Sequence, residues 1–201
     1  MGYEMRRLLT LMVAFTIVFL ASPPTAVAQD HRLTTEISYG IVGFGDIRIP
    51  SGQLGYSRQI VPHLDLTASI RFSRTREWEP LDTSPGLPHD LSYLDGTVGL
   101  ELHPIDSDKH RLDLGLSAAL RGRWETRTTG IKILFGPDDQ PQKLLRHETD
   151  RRTSADTGFL LSTGYNYKIT PSLWLGAHLR GYTYQEGTSL FLFGLSVDYT
   201  L

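Results

Sequence analysis

Along most of this chain apolar and polar residues alternate with period two, and helical periodicity is almost absent. The pattern is sharpest over residues 191–201. Phe191, Phe193, Leu195, Val197, Tyr199 and Leu201 share one face, and Gly194, Ser196, Asp198 and Thr200 share the other. Seven earlier segments repeat it, at about 33–46, 52–60, 65–73, 91–103, 111–126, 155–168 and 172–184. In the third, Leu66, Ala68, Ile70 and Phe72 oppose Asp65, Thr67, Ser69, Arg71 and Ser73. Turn signals at Val61-Pro62-His63, from Pro104 to Lys109 and at Thr170-Pro171 separate successive segments. The expectation is an all-β fold, an eight-stranded antiparallel up-and-down barrel.

Segments of this length match strands that cross a bilayer, which need roughly 9 to 11 residues each. Alternation alone fits a soluble periplasmic barrel or sandwich too, with the apolar face inward, and three observations favour the inverse, with the apolar face outside and the polar face in the lumen. Glycines lie on the polar face, at Gly40, Gly55, Gly99, Gly115, Gly158, Gly164, Gly176 and Gly194, where they leave room in a narrow interior. Tyr39, Tyr56, Trp124, Tyr165, Tyr167 and Tyr199 fall near strand ends on the apolar face, where interfacial girdles belong. The polar face also mixes charges of both signs. The links near 61–64, 104–110 and 169–171 are short, whereas those at about 78–90 and 127–152 are long. With both chain ends on the inner side, the long connections are expected to be extracellular loops.

The N-terminus reads as an export signal. Arg6 and Arg7 precede a weakly polar to apolar stretch over residues 8–20, shorter than a spanning helix requires. Ala26-Val27-Ala28 then offers a small-x-small cleavage site before Gln29. Residues 1–28 are thus expected to be removed, with the mature domain at 29–201. Translation from Met5 would give a Met-Arg-Arg start.

The 201 residues contain no cysteine, which excludes disulfides, thiolate nucleophiles and thiolate metal ligands. The net charge is −2, and no basic run suggests nucleic acid as a partner.

The Ala-Val-Ala site, the glycine-bearing amphipathic strands and the closing Phe193-Gly194-Leu195-Ser196-Val197-Asp198-Tyr199-Thr200-Leu201 resemble the small outer-membrane β-barrel domain family typified by OmpA and OmpX. The resemblance implies an outer-membrane location, contact with outer-membrane lipids and lipopolysaccharide, and a monomer. It also implies delivery by periplasmic chaperones to the barrel-assembly machinery, with Gly194, Val197, Tyr199 and Leu201 as the C-terminal assembly signal. One departure is visible: the family commonly closes on Phe, and this chain closes on Leu201. Arg58, on the apolar face of the second strand, fits only near an interface.

The lumenal face would carry Glu36, Asp65, Asp95, Glu101, Asp113, Glu125, Asp156 and Asp198 against Arg71, Arg111, Arg121, Arg123, Lys168 and Arg180. Charges confined at low dielectric pair, so a charge network closing the lumen is expected. The alternative is a narrow anion-preferring pore along Arg71, Arg121 and Arg180. A barrel hydrolase acting on lipid A is a further alternative. Its candidate bases are His103 and His178, its candidate nucleophiles Ser162 and Ser196, and none shows the His-x-Ser pairing of lipid A deacylases. No spacing suggests a metal site, and no cofactor is expected. The connection at 127–152 holds Lys132, Lys143, Arg146, Arg151 and Arg152 beside Asp138, Asp139, Glu148 and Asp150, suited to acidic sugars, phosphates or a surface partner.

Overall fold

A computed structural model of the chain describes the backbone of residues 31–43, 47–81, 84–135 and 141–201, and within these the side chains outside 77–89 and 127–148. The export-signal residues, including Ala26, Ala28 and Gln29, lie outside the described residues. Eight strands follow in order: β1 (His31–Val42), β2 (Ile47–Val61), β3 (Leu64–Leu81), β4 (Ser84–Asp106), β5 (His110–Phe135), β6 (Pro141–Thr170), β7 (Leu173–Tyr184) and β8 (Ser189–Thr200). Each is antiparallel to its neighbours, and β8 pairs with β1 from Arg32↔Thr200 to Val42↔Leu190, which closes the barrel.

Alternation along each strand sends one set of side chains outward. Ile37 is 70% exposed and Leu116 59%, and Leu54, Ile70, Leu161, Leu179 and Leu195 are likewise exposed. The residues between them point inward and are buried, among them Glu36, Asp65, Arg71, Asp95 and Asp113. An apolar outside around a charged inside is the arrangement hydrocarbon requires, because backbone groups are satisfied across the closed sheet and charges are kept from the lipid.

His31, Leu201 and three short turns, at 62–63, 107–109 and 171–172, lie at one end of the barrel. His63 adopts φ 65°, which lets the chain reverse over two residues. Around this end Tyr56, Tyr165, Tyr167 and Tyr199 form an outward aromatic girdle, and Arg58 stands among them opposite His31 and Leu66. Its closeness to the turn end resolves the apparent misfit of an outward arginine.

At the other end the connections expected to be loops prove to be strand. Pairing between β4 and β5 stops at His89↔Arg127, yet β3 and β4 stay paired to Leu81↔Ser84 and β5 and β6 to Phe135↔Pro141. Two separate ribbons result. The alternation that marks a membrane strand vanishes here because a ribbon clear of the sheet buries neither face. Pro85 and Pro88 are tolerated for a related reason, since β4 is an edge strand once β5 has left it. β2 also starts earlier than expected, at Ile47 and not 52, and there it stays in the barrel wall, paired with β1 and with Ile49 fully buried.

Leu116→Arg or Ile70→Arg is expected to cost about 2 to 4 kcal/mol of barrel stability, the midplane cost of a lipid-facing cation. Refolding titrations in lipid check this, and a negligible loss would contradict the outward placement of these side chains.

Candidate functional site

Strand register stacks the lumenal charges into three levels. At the turn end, Arg32 Nη2 donates to Asp65 at 2.8 Å, and His103 bridges two carboxylates, with Nε2 3.2 Å from Asp65 and Nδ1 2.7 Å from Asp113. Arg111 donates to Asp113 at 2.9 Å and to Asp198 at 3.2 Å, and Asn166 also donates to Asp113. The Trp174 ring lies against this level, 4.8 Å from the Arg111 guanidinium and 5.1 Å from the Lys168 ammonium.

In the middle, Arg180 clasps Glu36 through Nη2 at 2.6 Å and Nε at 3.0 Å. The chain makes room for this pair with Gly194, where a Cβ would stand 2.5 Å from the Glu36 carboxylate. At the ribbon end, Asp95 accepts from Arg71, from Arg121 Nε at 2.8 Å and from the Tyr184 hydroxyl at 2.7 Å. Arg71 lies over the Tyr182 ring at 4.2 Å. Arg121 sits between Tyr93 at 4.3 Å and Tyr184 at 3.6 Å. Arg121 Nη1 and Nη2 have no hydrogen-bond acceptor among the described residues; the ring faces beside the guanidinium take that place.

An apolar cluster lines the lumen beside this last level. Val42, Ile49, Leu91, Leu160, Leu190 and Leu192 pack with the three tyrosines. The sequence pattern implies a wholly ionic interior, and the ribbon end is instead sealed by a mixture of carbon and ions. Among the described residues the lumen holds a cavity of about 50 Å³ bordered by Thr34, Gln53, Ser69, Glu101 and Ser117, room for a few waters.

The sequence-derived network thus divides. Glu36 and Arg180 are partners, Arg71 and Arg121 converge on Asp95, and Asp65, Asp113 and Asp198 share Arg32, His103 and Arg111. Arg123 pairs with Glu125 at 2.6 Å in a more open position. Among the described residues Lys168 meets the Trp174 ring and no carboxylate, and Glu101 borders the cavity. The three arginines of the pore alternative are therefore already engaged by carboxylates.

Arg32 falls just before the expected first strand, and nothing in the alternation alone singles out Tyr93, Tyr182 and Tyr184. Their signal is parity: each lies on the same face as the charges. The C-terminal residues are placed by the seam. Val197 and Tyr199 point outward, Gly194 faces Glu36, and the Leu201 N–H donates to the His31 carbonyl at 2.8 Å.

Of the hydrolase candidates, His178 Nε2 and Ser196 Oγ come together at 2.8 Å, both buried. Among the described residues no hydrogen bond to a carboxylate orients His178, and the adjoining cavity, about 50 Å³, is too small for an acyl chain. Asp65, Glu101 and His103 could each turn one ligand atom toward a shared cation, with those atoms within 4.8 Å of one another. Spacing along the chain conceals this trio, because Asp65 reaches Glu101 only across the β3–β4 register. Arg32 and Arg111 already supply positive charge there.

An inverted barrel of this build is a transmembrane β-barrel. Among solved structures, a major outer membrane protein from Thermus thermophilus superposes with TM-score 0.62 at 12% identity, over 87% of this chain and 100% of that one. Ail, the attachment invasion locus protein of Yersinia pestis, in complex with the heparin analogue sucrose octasulfate, gives TM-score 0.57 at 12% identity, over 87% and 100%. Ail in a second crystal structure gives 0.50 at 12% identity, over 86% and 97%. No family model and no curated protein matches the chain. At this identity the likeness is one of fold, that of the small outer-membrane barrels.

Asp95→Asn is expected to cost about 3 to 5 kcal/mol, because Arg71 and Arg121 lose one shared carboxylate in a closed space. Arg152→Ala, in the exposed pair with Asp150, should cost about 1 kcal/mol or less. Urea refolding of both variants checks the contrast, and equal losses would contradict the layered account.

Proposed function

We propose that this chain is a non-enzymatic outer-membrane protein whose lumen is closed by paired charges and whose long β5–β6 ribbon is a surface for acidic glycans. The observation that carries this reading is the continuation of β5–β6 pairing to Phe135↔Pro141, well past the point where the barrel wall ends at His89↔Arg127. Residues 127–152 hold six basic and four acidic side chains, a net positive ribbon on a barrel whose whole chain is negative. Such a projection concentrates charge away from the membrane, where polyanions meet it. Ail, which shares the fold, has been crystallised with a heparin analogue, which supports a role of this kind for such barrels.

The rest of the reading follows from location. Residues 1–28 direct export and are cleaved before Gln29, and the barrel of 29–201 reaches the membrane through periplasmic chaperones and the assembly machinery. It works as a monomer among outer-membrane lipids and lipopolysaccharide, without metal or cofactor. Neither the anion pore nor the lipid A hydrolase is favoured by the geometry, given the engaged arginines and the enclosed His178–Ser196 contact.

Two measurements test this. In planar bilayers the purified barrel should pass little steady current, and a stable anion-selective current would contradict a closed lumen. On immobilised heparin it should be retained at low salt and released as salt rises. A variant with Lys132, Lys143, Arg146, Arg151 and Arg152 replaced by Gln should refold normally and lose retention. Equal retention by that variant would remove the ribbon from the account.

A further inference from the structure

The outward row of β2 carries Pro50 and Gly52 where neighbouring strands carry large side chains. Ile37 and Tyr39 of β1 stand on one side, with Phe193 and Leu195 of β8 beyond them, and Phe72 and Arg74 of β3 stand on the other. Register sets this up directly, pairing Gly52 with both Ile37 and Phe72, and Pro50 with Tyr39. Because adjacent strands lie about 4.8 Å apart, a strand stripped of side chains leaves a trough roughly 10 Å wide between its neighbours. The trough holds about 660 Å³, and a Cβ on Gly52 would meet nothing within 4 Å.

The trough lies toward the ribbon end, since β1 finishes at Val42, just beyond Tyr39. Arg74 is the one charged residue lining it. Arg76, next on the same outward row, is held by Asp90 at 2.7 and 3.0 Å, whereas Arg74 has no carboxylate partner among the described residues. Arg48, beyond Pro50 on the outward row of β2, adds a second cation at this rim. A guanidinium at the edge of an apolar belt is a phosphate ligand, and the apolar trough beneath it has the shape and chemistry of an acyl-chain seat.

We infer that this trough binds one phosphorylated, multiply acylated glycolipid of the lipid A kind, with a phosphate on Arg74 and an acyl chain over Gly52 and Pro50. The inference rests on the outer-membrane reading above, with the ribbon end facing the outer leaflet.

The test reconstitutes the full barrel in phosphatidylglycerol nanodiscs containing a minority of lipid A, and counts retained lipid A by native mass spectrometry. One lipid A should remain on the wild type. Arg74→Gln and Gly52→Leu should each lower the retained fraction about tenfold, the size of one charge-assisted hydrogen bond or a blocked chain seat. Dephosphorylated lipid A should not be retained. Gly52→Leu extends into open space, and gel migration of the folded form verifies that both variants fold. Equal retention by the variants, or displacement of lipid A by phosphatidylglycerol, would overturn the inference. Failure of the wild type to enter the disc would instead overturn the membrane reading on which it rests.

Discussion

Closure of the sheet is the constraint on which the rest depends. In hydrocarbon an unpaired backbone N–H or C=O costs several kcal/mol, so an open edge cannot persist and the last strand must find the first. The seam between β1 and β8 meets this from Arg32↔Thr200 to Val42↔Leu190. Once eight strands close, the enclosed space is too narrow for anything but side chains and a little water. Outward parity then goes to apolar residues, and every polar side chain on the wall must be satisfied within.

That narrow interior explains the pairing chemistry. A carboxylate drawn from water is stabilised only if several donors reach it, and Asp95 and Asp113 each gather three or more. Aromatic faces complete the coordination where acceptors run out, as Tyr93 and Tyr184 do around Arg121. The apolar cluster beside them adds a seal that no count of charges would have suggested. The same parity leaves the outer surface uneven, since Pro50 and Gly52 put small outward side chains next to Phe72 and Tyr39.

Much of the barrel was legible in the sequence because the bilayer imposes strict alternation. Leu66, Ala68, Ile70 and Phe72 announced an outward row, and β3 presents them so. The ribbons were not legible, because a strand with water on both faces has no reason to alternate. Within the lumen the membership of the charged face could be read, but its partnerships could not. Arg71 and Arg121 meet Asp95 across adjacent strands. Glu36 reaches Arg180 from β1 to β7 with β8 between them, a contact set by barrel curvature that no spacing along the chain encodes.

The central claim is that parity alone decides which leucines meet lipid. Leu116, Leu161 and Leu195 point outward, while Leu160, Leu190 and Leu192 are buried in the lumen, and Leu160 and Leu161 are adjacent in sequence. Methyl-labelled protein in bilayer nanodiscs separates the two sets by nuclear Overhauser contacts to lipid chains. The account predicts strong acyl-chain contacts at the first three and none at the second three. Acyl-chain contacts at Leu160, Leu190 and Leu192, with water at Leu116, Leu161 and Leu195, would contradict it.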